Sequence, residues 1–336
     1  MDRTAMKRLA LLSAVPLAGC VGIQSPLSPG GDQANALHDL FVLMMIVCGS
    51  VYLLVVAGLG WAILRARRNA LIPGAADGTG DRRRDRGVLI AAGAIVVGLT
   101  VLIVGSFIAD RALFATGGQG AMQVRVTGHQ WWWRIEYRDP SSGRWIETAN
   151  ELHLPRGRTT RVSLGSADVI HSFWVPNVAG KLDMIPGRRN VLDLTPRIDG
   201  WFRGQCAEFC GLQHAHMAFD VKVEDPATFD AWLARQAQPA VARTDTVAAR
   251  GESVFAGPCA TCHAVRGTGA TGRAGPDLTH IASRRSVAAG TLPMTRGGLQ
   301  GWISKPQALK PGTGMPDIPL DARDADAVAH YLAGLR

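Results

Sequence analysis

The chain has 336 residues, with 36 lysines and arginines against 27 aspartates and glutamates, which gives a formal net charge of +9. This length allows two domains of ordinary size plus further segments, and 47 % hydrophobic residues is high for a wholly soluble protein. No basic patch with interleaved aromatic residues is apparent, so the positive charge does not indicate nucleic-acid binding.

The N-terminus has the pattern of an export signal. A basic start is followed by an apolar run over residues 9–17 and by a small-small-Cys ending at Cys20. This ending resembles the cleavage box of bacterial lipoproteins. We therefore expect residues 1–19 to be a signal peptide of the lipoprotein type and Cys20 to carry a lipid. An ordinary signal peptide with an incidental cysteine is the alternative.

Two apolar stretches, Leu40–Leu64 and Val88–Ala109, are long enough to cross a bilayer. They predict a transmembrane hairpin over residues 38–110, preceded by an external segment 20–37. The connecting loop 65–87 carries seven arginines against three aspartates. The positive-inside rule therefore places this loop in the cytoplasm and both ends of the chain outside a bacterial inner membrane.

From residue 121 to 235 the pattern changes to short β-prone stretches separated by Pro and Gly, which predicts a β-sandwich or barrel. A short helix over Pro226–Gln236 closes this domain. The predicted strands cover Gln123–Thr127, Trp131–Tyr137, Thr160–Leu164, Val191–Leu194 and Ala218–Val223.

A linker-like segment, 236–245, precedes a last domain of residues 246–336. Helical patterns at Val247–Phe255, Leu299–Ser304 and Ala322–Leu335 predict a small all-α domain.

A cluster of metal-ligand types lies near the end of the β-rich domain. Cys206, Cys210, His214 and Met217 fall within twelve residues, and His171 lies 35 residues before Cys206. Thiolate, imidazole and thioether form a soft ligand set that selects copper over magnesium, calcium or manganese. Two cysteines four residues apart can bridge the same pair of ions, so the pattern predicts a binuclear copper centre in a loop between two late strands. His171 is expected to arrive from an earlier loop.

A second cofactor pattern lies in the last domain. Cys259-Ala-Thr-Cys262-His263 is the C-x-x-C-H pattern of covalent c-type haem attachment. The cysteines would form thioethers to the haem, and His263 would be the proximal iron ligand. Two redox patterns on one chain indicate an electron-transfer protein.

These motifs together resemble subunit II of the haem-copper cytochrome c oxidases. The resemblance rests on the copper loop and on four further stretches. These are His38-Asp39, the aromatic run within 128–137, His171-Ser-Phe-Trp-Val-Pro176, and Gly180-Lys-Leu-Asp-Met-Ile-Pro-Gly-Arg188. With the C-terminal haem domain fused on, the chain resembles the caa-type form. The resemblance implies a cupredoxin fold for the copper domain and the binuclear centre called CuA.

The resemblance also implies roles for single residues. Cys206 and Cys210 would bridge the two coppers, His171 and His214 would each cap one of them, and Met217 would be a weak ligand.

Two further residues have implied roles in the copper domain. Glu208 would bind copper through its backbone carbonyl and direct its carboxylate to a magnesium site shared with subunit I. Trp131 would be the tryptophan through which electrons arrive, with a role as a core aromatic as the alternative.

In the last domain, Met315 resembles the methionine of small c-type cytochromes and would be the distal haem ligand, with Met294 as the rival. The carbonyl of Pro276 would orient His263.

The implied function is subunit II of a proton-pumping terminal cytochrome c oxidase. It would accept electrons from a cytochrome c or a membrane complex through haem c and CuA and pass them to the oxygen-reducing subunit I. The chain lacks the intramembrane histidines needed to reduce oxygen alone, and its copper ligands exclude a quinol oxidase subunit. The alternative is the electron-input subunit of a CuA-containing nitric oxide reductase. The glutamate that opens the family's second span is missing here; Asp85 could replace it in proton uptake or be a solvated loop charge.

Overall fold

A computed structural model describes residues 22–69, 80–114, 121–241 and 244–336. The predicted signal peptide and Cys20 lie outside these described residues. The chain divides into two compact units, one of residues 35–115 and one formed by the residues before and after them.

The smaller unit consists of two long helices, α1 (Asp32–Asn69) and α2 (Gly80–Phe114). Each contains a stretch with a mean hydropathy of 2.7, and both are long and apolar enough to cross a membrane. Gly105 allows them to approach closely, since a Cβ at this position would lie 2.5 Å from Cδ2 of Leu43. The prediction of two long apolar helices is confirmed, but the predicted bounds of the loop, 65–87, are wrong because α1 continues to Asn69 and α2 begins at Gly80.

The copper-ligand region folds as a sandwich of two five-stranded sheets, with strand orders β3-β2-β1-β5-β8 and β4-β10-β9-β6-β7. Most strand pairs are antiparallel, whereas β1 runs parallel to β5 and β4 parallel to β10. The strands are β1 (Met122–His129), β2 (Trp132–Arg138), β3 (Trp145–Ala149), β4 (Glu151–Pro155), β5 (Thr160–Ser166), β6 (His171–Trp174), β7 (Leu182–Met184), β8 (Asn190–Leu194), β9 (Gly200–Cys206) and β10 (Ala218–Glu224).

Alternation of buried and exposed side chains places one face of β1 and β2 in the core. Trp133, Phe173 and Phe219 come from three different strands and meet in the interior, with ring centroids 5.0–6.2 Å apart. Burying such large aromatic side chains is a main source of stability in a sandwich of this size. The cupredoxin-like sandwich expected from the resemblance is confirmed, and the barrel alternative is not.

Five strands were not predicted: β3, β4, β6, β7 and β9. All five residues of β4 are buried, so this strand lacks the alternating pattern on which the prediction depended. The copper loop 207–217 lies between β9 and β10, as expected. His171, however, is the first residue of β6, so its predicted position on a loop is wrong.

A helix, α3 (Pro226–Gln236), follows the sandwich and begins at the N-cap Asp225, whose carboxylate accepts hydrogen bonds from two backbone N–H groups. The segment after it was predicted to be a linker. Its first residues contact the last domain, because Ala240 donates a backbone hydrogen bond to Arg266 and the His280 ring nitrogen lies 3.0 Å from the carbonyl of Gln238.

The last domain contains four helices among its described residues, α4 (Thr246–Phe255), α5 (Arg296–Ser304), α6 (Pro306–Leu309) and α7 (Ala322–Leu332). A two-residue pair of strands, β11 (Ser286–Val287) and β12 (Leu292–Pro293), lies between them. Helix α7 ends three residues before the predicted Leu335. Gly251 lets α4 cross α7, since a Cβ there would lie 2.1 Å from the carbonyl oxygen of Ala327.

Candidate metal and haem sites

Three predicted copper ligands, His171, Cys206 and Cys210, come together at one end of the sandwich. All three residues are buried, and their ligand atoms lie within 4.8 Å of one another. The two sulfurs are 3.7 Å apart, and Nδ1 of His171 is 3.8 Å from Sγ of Cys206. The strands β6 and β9 therefore bring together ligands that are distant in sequence.

The copper loop supplies the remaining predicted ligands. Nδ1 of His214 lies 3.6 Å from Sγ of Cys210. Sδ of the fully buried Met217 lies 3.7 Å from the same sulfur. The carbonyl oxygen of Glu208 is 3.2 Å from Sγ of Cys206. The structure thus brings all six predicted donors together, with four of them arranged around the two cysteine sulfurs.

These distances fit metal ions of the kind that thiolate and imidazole bind. Metal–sulfur and metal–nitrogen bonds to such ligands are about 2.3 and about 2.0 Å long. The 3.6–3.8 Å separations between sulfur and nitrogen atoms are shorter than the sum of two such bonds. One ion can therefore contact Cys206 and His171 together, and another can contact Cys210 and His214, with both sulfurs shared.

Backbone hydrogen bonds hold the copper loop in place. The N–H of Cys206 donates to the carbonyl of Met217 at 2.9 Å, which closes the loop at its base, and Ala207 donates to Ser172 on β6 at 3.0 Å. Gly211 has a φ of +112°, and a Cβ there would lie 3.1 Å from the ring of Trp131. These contacts restrain the backbone that carries the predicted ligands.

The electrostatics favour a thiolate at one of the two cysteines. The hydrogen bond from Cys210 lowers the pKa of Cys206 to about 3 and outweighs the opposing effect of burial. The same hydrogen bond, together with burial, raises the pKa of Cys210. Burial lowers the pKa of His171, but hydrogen bonds to Cys206 and Asp168 outweigh it, so this pKa is raised. Metals bind the deprotonated ligands, so metal binding here would release protons.

Trp131 lies against the copper loop. Its indole Nε1 donates a hydrogen bond to the carbonyl of Cys210 at 2.9 Å, and the Gln130 amide donates to the same oxygen at 2.8 Å. Trp131 is 6 % exposed and belongs to the core of the sandwich. Its contact with Cys210 gives it a place beside the metal ligands in addition to a packing role.

The last domain contains a cavity of about 300 Å³ at the C-x-x-C-H motif. Cys259, Cys262 and His263 line it, and Met315 lines it as well. The rival Met294 packs against the hydrophobic core of the domain. Apolar side chains form much of the wall, among them Leu278, Leu299, Trp302, Ile303, Val328 and Leu332.

Several features of this cavity fit a haem. Nδ1 of His263 lies 2.8 Å from the carbonyl oxygen of Pro276, as expected, which leaves Nε2 available as a ligand. Burial lowers the pKa of His263 and so favours the neutral imidazole that binds iron. Gly275 leaves space for the ring, since a Cβ there would lie 2.6 Å from Cε1 of His263.

The cavity extends to the copper domain. Trp131, Gln130 and His129 line it together with the C-x-x-C-H motif. The ring of Trp131 therefore borders the haem cavity while its Nε1 is bonded to the copper loop. Sequence reasoning placed Trp131 at the copper centre, and the contact with the haem cavity is visible only in the tertiary structure.

His153 belongs to a buried ion-pair network that no motif in the sequence indicates. Its two ring nitrogens lie 2.8 Å from Glu224 and 3.0 Å from Glu151 in a buried position, and its ring stacks on Trp232. Burial lowers the pKa of His153, but these two hydrogen bonds outweigh it and raise the pKa overall. Glu151 also accepts a hydrogen bond from the backbone of Arg285, so the network reaches the last domain.

A buried sulfur and imidazole cluster in a β-sandwich, joined to an α-helical domain with a C-x-x-C-H cavity, defines a protein of the copper and haem electron-transfer class. Residues 138–224 match the family model described as cytochrome c oxidase subunit II, periplasmic domain, and residues 248–336 match the cytochrome c model. The matched models imply CuA copper in the first of these regions and haem in the second.

Similar proteins cover nearly the whole chain. Cytochrome c oxidase subunit 2 of Alkalihalophilus pseudofirmus is 33 % identical over 95 % of this chain and 94 % of its own length. The Bacillus subtilis protein of the same name is 29 % identical over 98 % and 97 %. The solved periplasmic domain of cytochrome oxidase subunit II from Bradyrhizobium japonicum is 31 % identical, covering 35 % of this chain and 95 % of that one, with a TM-score of 0.33.

The chain belongs to the cytochrome c oxidase subunit 2 family. Its family places it in an oxidoreductase complex of the haem-copper terminal oxidase type, and the two apolar helices agree with a membrane protein.

Proposed function

We propose that this chain is the electron-input subunit of a terminal cytochrome c oxidase. It accepts electrons through a covalent haem c and a binuclear CuA centre and passes them to the oxygen-reducing subunit I. When bound, haem and copper supply one-electron redox chemistry. The observation that carries this proposal is the position of Trp131, which is hydrogen-bonded to the backbone of Cys210 and also lines the cavity at His263.

The proposed copper ligands have distinct roles. Cys206 and Cys210 would bridge two copper ions, since their sulfurs lie 3.7 Å apart and each has a separate imidazole nearby. His171 serves one ion and His214 the other, while Met217 is a weak ligand from the buried side. Asp168 holds Nε2 of His171 at 2.7 Å, which leaves Nδ1 directed at the sulfurs.

Glu208 has a proposed role in two sites. Its carbonyl oxygen, 3.2 Å from Sγ of Cys206, is a ligand for copper. Its half-exposed carboxylate would bind magnesium at the interface with subunit I. Carboxylate oxygen is a ligand type that Mg²⁺ prefers, so the two functional groups of this residue suit two different metals.

In the haem domain, Cys259 and Cys262 would attach the haem, His263 would be the proximal ligand and Met315 the distal ligand. The support for Met315 is its place in the wall of the cavity that also holds His263. A thioether ligand opposite a histidine raises the haem potential, which suits a carrier that feeds copper.

The membrane arrangement is also proposed. The arginines at the end of α1 and at the start of α2 lie on the cytoplasmic side, and both redox domains face the outer side of a bacterial inner membrane. A lipid at Cys20 would add an anchor. Asp85, which lies in α2, is the candidate for proton uptake where the family's usual glutamate is missing.

The copper assignment is tested by changing each bridging thiolate to serine in the full-length protein. We expect wild-type protein to bind two copper ions with a mixed-valence spectrum, and Cys206→Ser or Cys210→Ser to abolish that spectrum. The control is Cys48→Ser, since Cys48 is a free cysteine on α1. A wild-type spectrum typical of a single blue-copper site would contradict the proposal.

The terminal acceptor is tested by purifying the complex and identifying its haems as pyridine haemochromes. Haem a alongside haem c would select the oxidase. Haem c with haem b and without haem a would favour the nitric oxide reductase instead.

A further inference from the structure

Lys310 of the haem domain has a buried amino group, and burial lowers its pKa to about 7. The residue is 1 % exposed, although lysine is among the residues least often buried. Its Nζ lies 2.8 Å from the carbonyl oxygen of Trp131, 2.9 Å from that of His216 and 3.1 Å from that of Ala288. An ammonium has three N–H donors, so each of them has a partner here.

The three carbonyl groups belong to two different domains. Trp131 and His216 are part of the copper domain, whereas Ala288 and Lys310 are part of the haem domain. His216 lies in the copper loop between the proposed ligands His214 and Met217. The side chain of Lys310 therefore reaches across the boundary between the domains and binds the backbone beside the copper ligands.

The residues that follow Lys310 also contact the copper domain. The Gln213 amide donates a hydrogen bond to the carbonyl of Pro311 at 2.9 Å. Gly312 has a φ of +82°, and a Cβ there would lie 3.3 Å from Leu212 and 3.5 Å from the ring of Trp131. The backbone of residues 310–312 is thus seated directly on the copper loop.

The same segment reaches the haem cavity at its other end. The amide of Gln307 donates hydrogen bonds to the carbonyl groups of Thr313 and Met315, both at 2.7 Å, which holds the loop in one conformation. Met315 lines the cavity. A single short loop therefore connects the proposed distal ligand with the clamp on the copper domain.

The free-energy cost of burying Lys310 is offset only when the haem domain contacts the copper domain. Among the described residues, no carboxylate lies within ion-pair distance of Lys310, so its compensation comes from carbonyl dipoles. Burying an ammonium without partners is costly. Two of its three partners are present only when the domains are in contact, and a separated domain would leave the ammonium hydrated.

We propose that Lys310 is a positioning residue that fixes the haem domain on the copper domain by binding the carbonyl groups of Trp131 and His216. Its contribution to electron transfer rests on the proposed function. With both cofactors bound, the haem would give up one electron and the copper centre would take up that electron, while Lys310 holds the two domains in contact.

The test uses Lys310→Met in the full-length chain within its complex, because methionine is unbranched, is only one atom shorter than lysine and lacks the N–H donors. Lys305→Met is the matched control, since Lys305 is an exposed lysine of the same domain. The first readout is hydrogen exchange at two amides that bond across the boundary, Arg285 to Glu151 and Ala218 to Ala289. We expect at least tenfold faster exchange, or about 1.4 kcal/mol, in Lys310→Met and no change in the control.

The second readout is flash-induced electron transfer from haem to copper. We expect at least a tenfold slower internal rate with the covalent haem and copper spectra intact, and an unchanged rate when a small photoreductant reduces copper directly. Unchanged exchange, or faster exchange with an unchanged internal rate, would overturn the proposal. If wild-type protein shows no internal transfer, the proposed function fails, and the exchange readout still decides whether Lys310 fixes the domains.

A second variant keeps the test informative if Lys310→Met loses its cofactors. Gln213→Ala removes the neighbouring bond to Pro311 together with the contact, at 3.0 Å, between Oε1 of Gln213 and Nδ1 of His216. We expect it to increase exchange at the Arg285 and Ala218 amides by a smaller factor, and to slow internal transfer in proportion. No change in either quantity would also count against docking through this loop.

Discussion

The carbonyl oxygen of Cys210 accepts two side-chain hydrogen bonds in a buried position, from Trp131 and from Gln130. We predict that Trp131→Phe and Gln130→Ala will weaken copper binding non-additively. Both bonds restrain the backbone that positions Sγ of Cys210. Either donor alone still satisfies the oxygen, whereas loss of both leaves a buried acceptor without a side-chain partner.

The expected losses of copper affinity follow from these hydrogen bonds. A net hydrogen bond contributes about 1 kcal/mol, and an orphaned buried acceptor costs about 1–3 kcal/mol more. Each single variant should therefore bind copper about fivefold more weakly, since 1.4 kcal/mol corresponds to a factor of about ten. The double variant should be weaker by about a hundredfold or more, whereas simple additivity predicts about thirtyfold.

Copper affinity would be measured by competition with a chelator at fixed pH, since deprotonation of the thiols accompanies binding. Trp145→Phe is a matched control that removes an indole N–H from β3 of the same sandwich. An additive double variant would refute the argument that the two donors share one essential acceptor. A control that loses as much affinity as Trp131→Phe would show that the effect is not specific to the copper loop.

Three other outcomes are expected. Met315→Ala should abolish the thioether-to-iron absorption and lower the haem potential while covalent haem remains; if Met294→Ala does this instead, the axial assignment is wrong. Because the folded-state pKa of His153 is raised, its ion pairs stabilise the fold fully below pH about 6.5 and lose this effect as pH rises through the folded value. His153→Gln should therefore lower the free energy of unfolding more at pH 6 than at pH 9, and an equal loss at both would contradict this. Gly251→Ala should destabilise the haem domain by about 1–3 kcal/mol in thermal melts, because the added Cβ would clash with the backbone of Ala327. Gly269→Ala should not destabilise it, because a Cβ there would have no atom within 4 Å.

Features specified by short stretches of sequence were predictable. The C-x-x-C-H motif and the spacing of Cys206, Cys210 and His214 define ligand sets within one loop, and ligand chemistry depends on residue type and spacing. The apolar spans were predictable from hydropathy, which does not depend on tertiary contacts. Strand β4 was not predictable, because a strand buried on both faces has no alternation that distinguishes it from other apolar runs.

The sequence by itself therefore determined the kinds of domain and their order, and it predicted the residues that would hold copper and haem. The tertiary structure decided how the domains meet: Trp131 borders both sites, His153 is buried between two carboxylates, and Lys310 binds carbonyl groups of both domains. Lysine and histidine are ordinarily surface residues, and nothing near Lys310 in the sequence marks it as buried. Its partners are backbone carbonyl groups up to 179 positions away. Every residue has a backbone carbonyl group, so no sequence pattern can mark these three as partners of a lysine.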